Sequence, residues 1–166
     1  MAAWEFQTLQ NIADKNGWHK FISMQNFHNL IYREEEREMI PYCLDTGVGM
    51  IPWSPIARGL LAHPWDDRSS KREKSDNFLM SMMRTRETEV DKEIVGRVEK
   101  VAKDRGVGMA MVATAWVLRQ KMENPIIGLN SIERIDQAVE AIKFKLTDKE
   151  AKFLEEPYMS KQTQGY

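Results

Sequence analysis

Ile51-Pro52-Trp53-Ser54-Pro55-Ile56-Ala57-Arg58-Gly59-Leu60-Leu61 is the stretch on which the reading of this chain turns. Gly49-Met50-Ile51-Pro52-Trp53 is an apolar run of strand length that ends in a large aromatic and passes directly into a hydroxyl, a proline and a glycine. Pro52 has no amide donor, so the strand is short or lies at a sheet edge. In α/β folds the C-terminal ends of strands and the loops after them face the ligand. A tryptophan there offers a flat face to a heteroaromatic ring, and the backbone around Gly59 allows close approach of a pyrophosphate. On composition alone, a proline-containing loop over a buried tryptophan is the commoner structure for such a run.

Two further stretches repeat the pattern. Pro125-Ile126-Ile127-Gly128 reads as a third short strand, and a helix over 131–142 begins soon after it, with Ile132, Ile135, Val139 and Ile142 at helical spacing. Asn130 with Glu133 reads as its cap. The free amides of a helix start bind anions; Ser131 adds a hydroxyl and Arg134 a fixed, bidentate-capable charge. The plainer alternative is that Asn130 caps, Ser131 sits in the first turn and Arg134 is solvated. Phe21-Ile22-Ser23-Met24-Gln25 is another strand-length run, and a glutamine at its end has the donor and the acceptor needed to pair with a carboxamide.

Between these lie helical patterns over residues 3–14, 33–45, 88–105 and 109–122, and a last short helix from Thr147. Pro41 inside the second implies a kink or an early stop. Residues 54–86 show no clean period and read as a long loop, of the kind that is usually functional or mobile. The sum is about three strands, all parallel, with five or six helices. That is α/β, in one domain spanning residues 1–166.

Composition sets the outer limits. With 24 basic and 25 acidic residues, the chain carries no bulk charge for nucleic acid. No apolar run approaches the ~20 residues of a spanning helix. The single cysteine, Cys43, rules out a disulfide framework or a multi-cysteine zinc site. Met1-Ala2-Ala3-Trp4-Glu5-Phe6 is not a secretory signal, which makes the cytoplasm the default address.

In order and separation, these three stretches resemble the C-terminal half of the aldo-keto reductase family, similar to its fungal aryl-alcohol dehydrogenase members. Tyr32-Arg33-Glu34-Glu35-Glu36-Arg37-Glu38-Met39, Trp53-Ser54-Pro55 and Ile127-Gly128-Leu129 leading into Ser131-Ile132-Glu133-Arg134 carry the resemblance. It implies part of a (β/α)8 (TIM) barrel, incomplete at about three parallel strands with surrounding helices. It also implies reduction of aldehydes and ketones with NADPH. By resemblance, Gln25 holds the nicotinamide carboxamide and Trp53 stacks on the ring. Ser54, Pro55, Ile56 and Gly59 line the pyrophosphate path, and Gly128 ends the last strand. Asn130, Ser131 and Arg134 take the adenosine 2′-phosphate, and Gln137 and Ala138 flank the adenine. The family's catalytic Asp, Tyr, Lys and His come from the first four strands, so no residue here matches them and no catalytic residue is expected. Asn130 stands where a second serine is common, and Phe27-His28 where His-Tyr is usual.

Other candidates read as packing. His19, His28 and His63 are scattered and lack metal spacing. Tyr32, Tyr42 and Cys43 look like core residues, and the charge run 33–38 like a solvated helix face. Met80, Met82 and Met83 read as gap-fillers or as an adaptable apolar surface. A three-strand remnant has bare edges and a bare face. Ile22, Met24, Met50 and Ile126 or Ile127 are then expected to lose partners, each forgoing ~1.5–3 kcal/mol of burial. Self-association, or a partner over the open barrel face, is the expected remedy. The intramolecular alternative folds residues 60–88 or 3–14 over that face.

Overall fold

A computed structural model of the chain describes residues 1–67 and 88–163. The expectations for Met80, Met82 and Met83, and for most of the 54–86 loop, therefore lie outside the described residues. Helix α1 (Ala3–Lys15) leads to strand β1 (Ser23–Met24), α2 (Met39–Thr46) and β2 (Gly49–Met50). Helices α3 (Glu89–Arg105), α4 (Met109–Leu118), α5 (Ile132–Lys143) and α6 (Asp148–Glu155) follow.

The sheet is parallel and three segments wide. Ser23 pairs with Gly49 and Met24 with Met50, and bridges extend the array through Phe27–Trp53, Met50–Glu123 and Trp53–Ile126. On one side of the middle segment, the amides of Gly49, Ile51 and Trp53 donate to the carbonyls of Ile22, Met24 and Asn26. On the other, the Met50 amide donates to Met122, and Asn124 and Ile126 donate to Met50 and Pro52. The strand with Pro52 is thus short but central, not at an edge. Odd-numbered amides serve one neighbour and even-numbered amides the other, so Pro52 removes a single rung while its carbonyl still accepts.

The outer face of β2 carries a small core of Phe6, Met39, Cys43, Val48 and Met50, with Met24 packed against it. Met50 is fully buried there, which corrects its place among the residues left without partners. Helix α1 belongs to this cluster. Its Gln10 amide also pairs with both backbone groups of Phe21, at 2.8 and 2.9 Å, closing the entry of β1 as a neighbouring strand would. The larger core joins Leu30, Ile31 and Tyr32 to Ile94, Val98, Val112, Trp116 and Leu154. Helix α4 is apolar all round and buries seven of its ten residues; it ends at Leu118, earlier than the periodicity implies.

The pattern over 33–45 splits into a 3-10 turn at Glu34–Glu36 and then α2. Pro41 is the third residue of α2, where an amide has no intrahelical partner to lose, so it is tolerated. Thr88 and Thr147 cap α3 and α6 through capping boxes with Asp91 and Glu150. Gly106 closes α3 in the left-handed region. Helix α5 packs on α4 through a face of which Ala141 is the buried member. Its apolar stripe faces outward, with Ile132 74% exposed. Ile22, at 85%, and Ile126, at 46%, are exposed as expected.

Candidate functional site

The parallel register sets the ends of the three strand segments on one edge. Phe27, Trp53 and Ile126 form a single rung there. Trp53 is half-buried and stacks on Phe27, with centroids 4.3 Å apart and planes 22° apart. Phe27 in turn stacks on Tyr32 at 4.8 Å. The tryptophan is thus fixed at the sheet edge on an aromatic support.

The loop that leaves Trp53 holds an unusual backbone. Ser54, Ala57 and Arg58 have φ of 55°, 49° and 55°, and Gly59 has φ of 110°. A non-glycine residue in the left-handed region costs about 1–3 kcal/mol and persists only where its surroundings enforce it. Local bonds do so here: Ala57 donates to the Ser54 carbonyl at 2.9 Å, and Gly59 and Leu61 donate to Ile56 at 2.9 and 3.2 Å. Pro55 and Ala57 are buried while Ser54, Ile56 and Gly59 are partly exposed. A turn in which a left-handed residue follows a right-handed one sets successive amides on one side, the arrangement of anion-binding concavities.

The second cluster opens α5. Ser131, not Asn130, is the N-cap, its hydroxyl accepting from the Arg134 amide at 3.4 Å. Asn130 instead accepts from the Arg134 guanidinium at 2.9 Å. The reason is local: Ser131 has the extended backbone a cap needs, and Asn130 lies one residue too early. The helix start already attracts negative charge. The Glu133 carboxyl is held below its ordinary range by its own backbone amide and the Ser131 hydroxyl. Asn130, Arg134 and Gln137 are exposed and Ala138 is half-buried, while Gln25 and Gly128 lie exposed at the ends of their strands.

A buried polar network behind this edge is absent from the sequence reading. His28 is 1% exposed; its Nδ1 lies 3.0 Å from Glu123 and its Nε2 2.9 Å from Glu36. Burial alone would lower its pKa, but the two carboxylates outweigh burial and raise it. Glu36 also receives both Nε and Nη2 of Arg33, at 2.7 and 2.8 Å. Against the cost of burial, His28 and Arg33 pull its carboxyl down to about 2. Glu34 accepts from the Tyr158 hydroxyl and the Lys161 amide, tying the C-terminal segment to this turn. The run 33–38 is therefore solvated only at Arg37 and Glu38, not along its whole length. Glu34 and Glu35 are buried because the broken helix tucks them under the tail and beside His28. Residues 95 positions apart, His28 and Glu123, meet here, a pairing that no local pattern signals. Cys43 is a buried core residue, as its spacing implies. Among the described residues no cluster of His, Cys, Asp or Glu could hold a metal ion, and no helix is long and apolar enough to cross a membrane.

Parallel strands whose C-terminal ends present an aromatic platform, a partly left-handed loop and a helix start define an α/β protein. The chain belongs to the aldo/keto reductase family, whose sequence model matches residues 2–158. It is 62% identical over 161 residues to versiconal hemiacetal acetate reductase of Aspergillus parasiticus, covering 97% of this chain and 47% of that protein. To a putative aryl-alcohol dehydrogenase of Schizosaccharomyces pombe it is 51% identical, with 99% of this chain and 46% of the relative covered. An aldo-keto reductase of Alternaria alternata matches at 46% identity over the whole chain and 44% of its own length. The chain thus spans about half the length of the relatives it matches.

Proposed function

We propose that this chain is the cofactor-holding part of an NADPH-dependent aldehyde and ketone reductase, built as three strands of an incomplete (β/α)8 barrel. The observation that carries this reading is the loop at 54–59, left-handed at Ser54, Ala57 and Arg58, directly after the stacked Trp53 at the C-terminal edge of the sheet. These residues fit a dinucleotide: a flat indole, a concave backbone, and a helix start furnished with Ser131 and Arg134. Gln25 holds the carboxamide and Trp53 the nicotinamide face. Residues 54–59 meet the pyrophosphate, and Asn130, Ser131 and Arg134 meet the 2′-phosphate. Gln137 and Ala138 border the adenine. Bound NADPH supplies the hydride. The chain orients the ring but carries no matched group to protonate the alkoxide, so turnover needs a second polypeptide segment.

Titrating NADPH while following tryptophan emission tests this. Quenching that saturates, with no oxidation of NADPH by 4-nitrobenzaldehyde, is the expected result. Absence of quenching removes the cofactor role, and turnover by the chain alone removes the claim that it lacks the donor.

A second reading, a non-catalytic self-associating module, draws support from the outward apolar stripe of α5 and from Ile22 and Ile126. In this reading a copy of the chain, or a partner, covers the open face. Sedimentation equilibrium at micromolar concentration decides it: a single 19.4 kDa species excludes self-association.

A further inference from the structure

We infer that Asn29 is a positioning residue for the nucleotide loop, its side-chain amide holding Ser54 in the left-handed conformation from which residues 54–59 turn toward a pyrophosphate. This rests on the cofactor reading above and adds to it a fully buried residue that acts through the loop. Asn29 is fully buried. Its Nδ2 donates to the Ser54 carbonyl at 3.2 Å, across 25 positions of sequence. Its Oδ1 accepts from the Ile31 amide at 3.1 Å. Its own backbone amide and carbonyl pair with Tyr32 at 3.1 and 3.0 Å.

The anchor is therefore the rigid partner. Leu30, Ile31 and Tyr32 are all buried in the larger core. Ser54, in contrast, sits at φ 55°, a conformation a residue with a Cβ adopts only under constraint. The Ser54 carbonyl also accepts from the Ala57 amide at 2.9 Å, the first internal bond of the loop. Asn29 thus fixes the oxygen on which the loop closes. The same turn places Phe27 against Trp53, so one short segment supports both the indole and the loop that follows it. Asn29 offers the acceptor for Ile31 and the donor for Ser54 on two separate atoms of one side chain; a carboxylate lacks the donor.

The test replaces Asn29→Ser. A serine oxygen still caps the Ile31 amide in the manner of a short polar turn but does not span to Ser54. Hydrogen exchange at the Ala57 amide, and tryptic cleavage after Arg58, are expected to accelerate about tenfold, the usual consequence of losing one such bond. Exchange in α3 stays unchanged, and NADPH dissociation, read by tryptophan quenching, weakens about tenfold. Unchanged exchange over 54–61 overturns the inference, and so does a loosened loop with undiminished NADPH affinity. If α3 also exchanges faster, the variant has lost its fold. Asn29→Asp, which keeps the acceptor and deletes the donor, then takes its place with the same expectations. Should the unsubstituted chain bind no NADPH, the cofactor reading fails by itself. Loop exchange then decides alone: acceleration upholds the brace and no change overturns it.

Discussion

Replacing Glu36→Gln removes the one carboxylate shared by Arg33 and His28. In the native chain it receives two guanidinium nitrogens and one imidazole nitrogen, all within 2.9 Å. Its carboxyl is held at about 2, against an ordinary 4.5, a difference equivalent to about 3 kcal/mol of folding stability at neutral pH. The side chain is 33% exposed, so solvent screening reduces that figure, and about 2 kcal/mol is expected. Urea unfolding followed by tryptophan fluorescence measures it, and Tm falls by about 4–8 °C for a chain of this size. The pH dependence separates this from a simple loss of packing. A depressed carboxyl contributes stability above about 4.5 and loses it as pH falls toward 2, so the acid limb of the native chain is steeper than the variant's, which keeps only that of other depressed carboxyls such as Glu34. His28, whose pKa is raised, contributes fully below 6.5 and loses its contribution as pH rises through its folded value. With one carboxylate gone, the variant loses that contribution at lower pH than the native chain. A variant within about 0.5 kcal/mol of the native chain at pH 7, or one with the same acid limb, refutes the reasoning.

Burial, and secondarily the charge of Glu35, pushes the Cys43 thiol up to about 11. Ellman's reagent at pH 8 should therefore label it only in denaturant, and fast native labelling would show that the outer core opens. Thr88→Ala removes the cap of α3, in which the Thr88 hydroxyl accepts from the Asp91 amide. It is expected to cost about 1 kcal/mol in urea unfolding, and a neutral result would mean α3 does not depend on its cap. Ile132→Glu places a charge on the 74% exposed head of the α5 stripe. Monomer stability should stay within about 0.5 kcal/mol while any dimer seen by sedimentation weakens; a large loss of stability without dissociation would place Ile132 in a core.

Local order in this chain was legible because it depends on neighbours. Thr88 with Asp91 and Thr147 with Glu150 form the capping boxes their spacing implies. The apolar circumference of α4 announces its burial. Gly106 takes the positive φ expected of a helix-ending glycine. Trp53 lies at the end of a strand segment, paired with Phe27 and Ile126, as the apolar run ahead of Ser-Pro implies. The position of Pro52 was less legible: a missing donor is the same in the sequence whether one neighbour or two flank the strand.

The sequence by itself determined the α/β class, most of the helices and the three short apolar runs, since periodicity and caps act over a few residues; the break in the 33–45 pattern and the early end of α4 were not legible in it. It also carried the family, through runs of residues that survive as words. Only the tertiary structure decided that Glu34 and Glu35 are buried, that Met50 faces the outer core, and that the α5 stripe points to solvent. Only it brought His28 to Glu123 and Asn29 to Ser54. Those outcomes depend on which surfaces meet after the chain has closed loops of tens of residues, and the free energy of such contacts is absent from any local pattern.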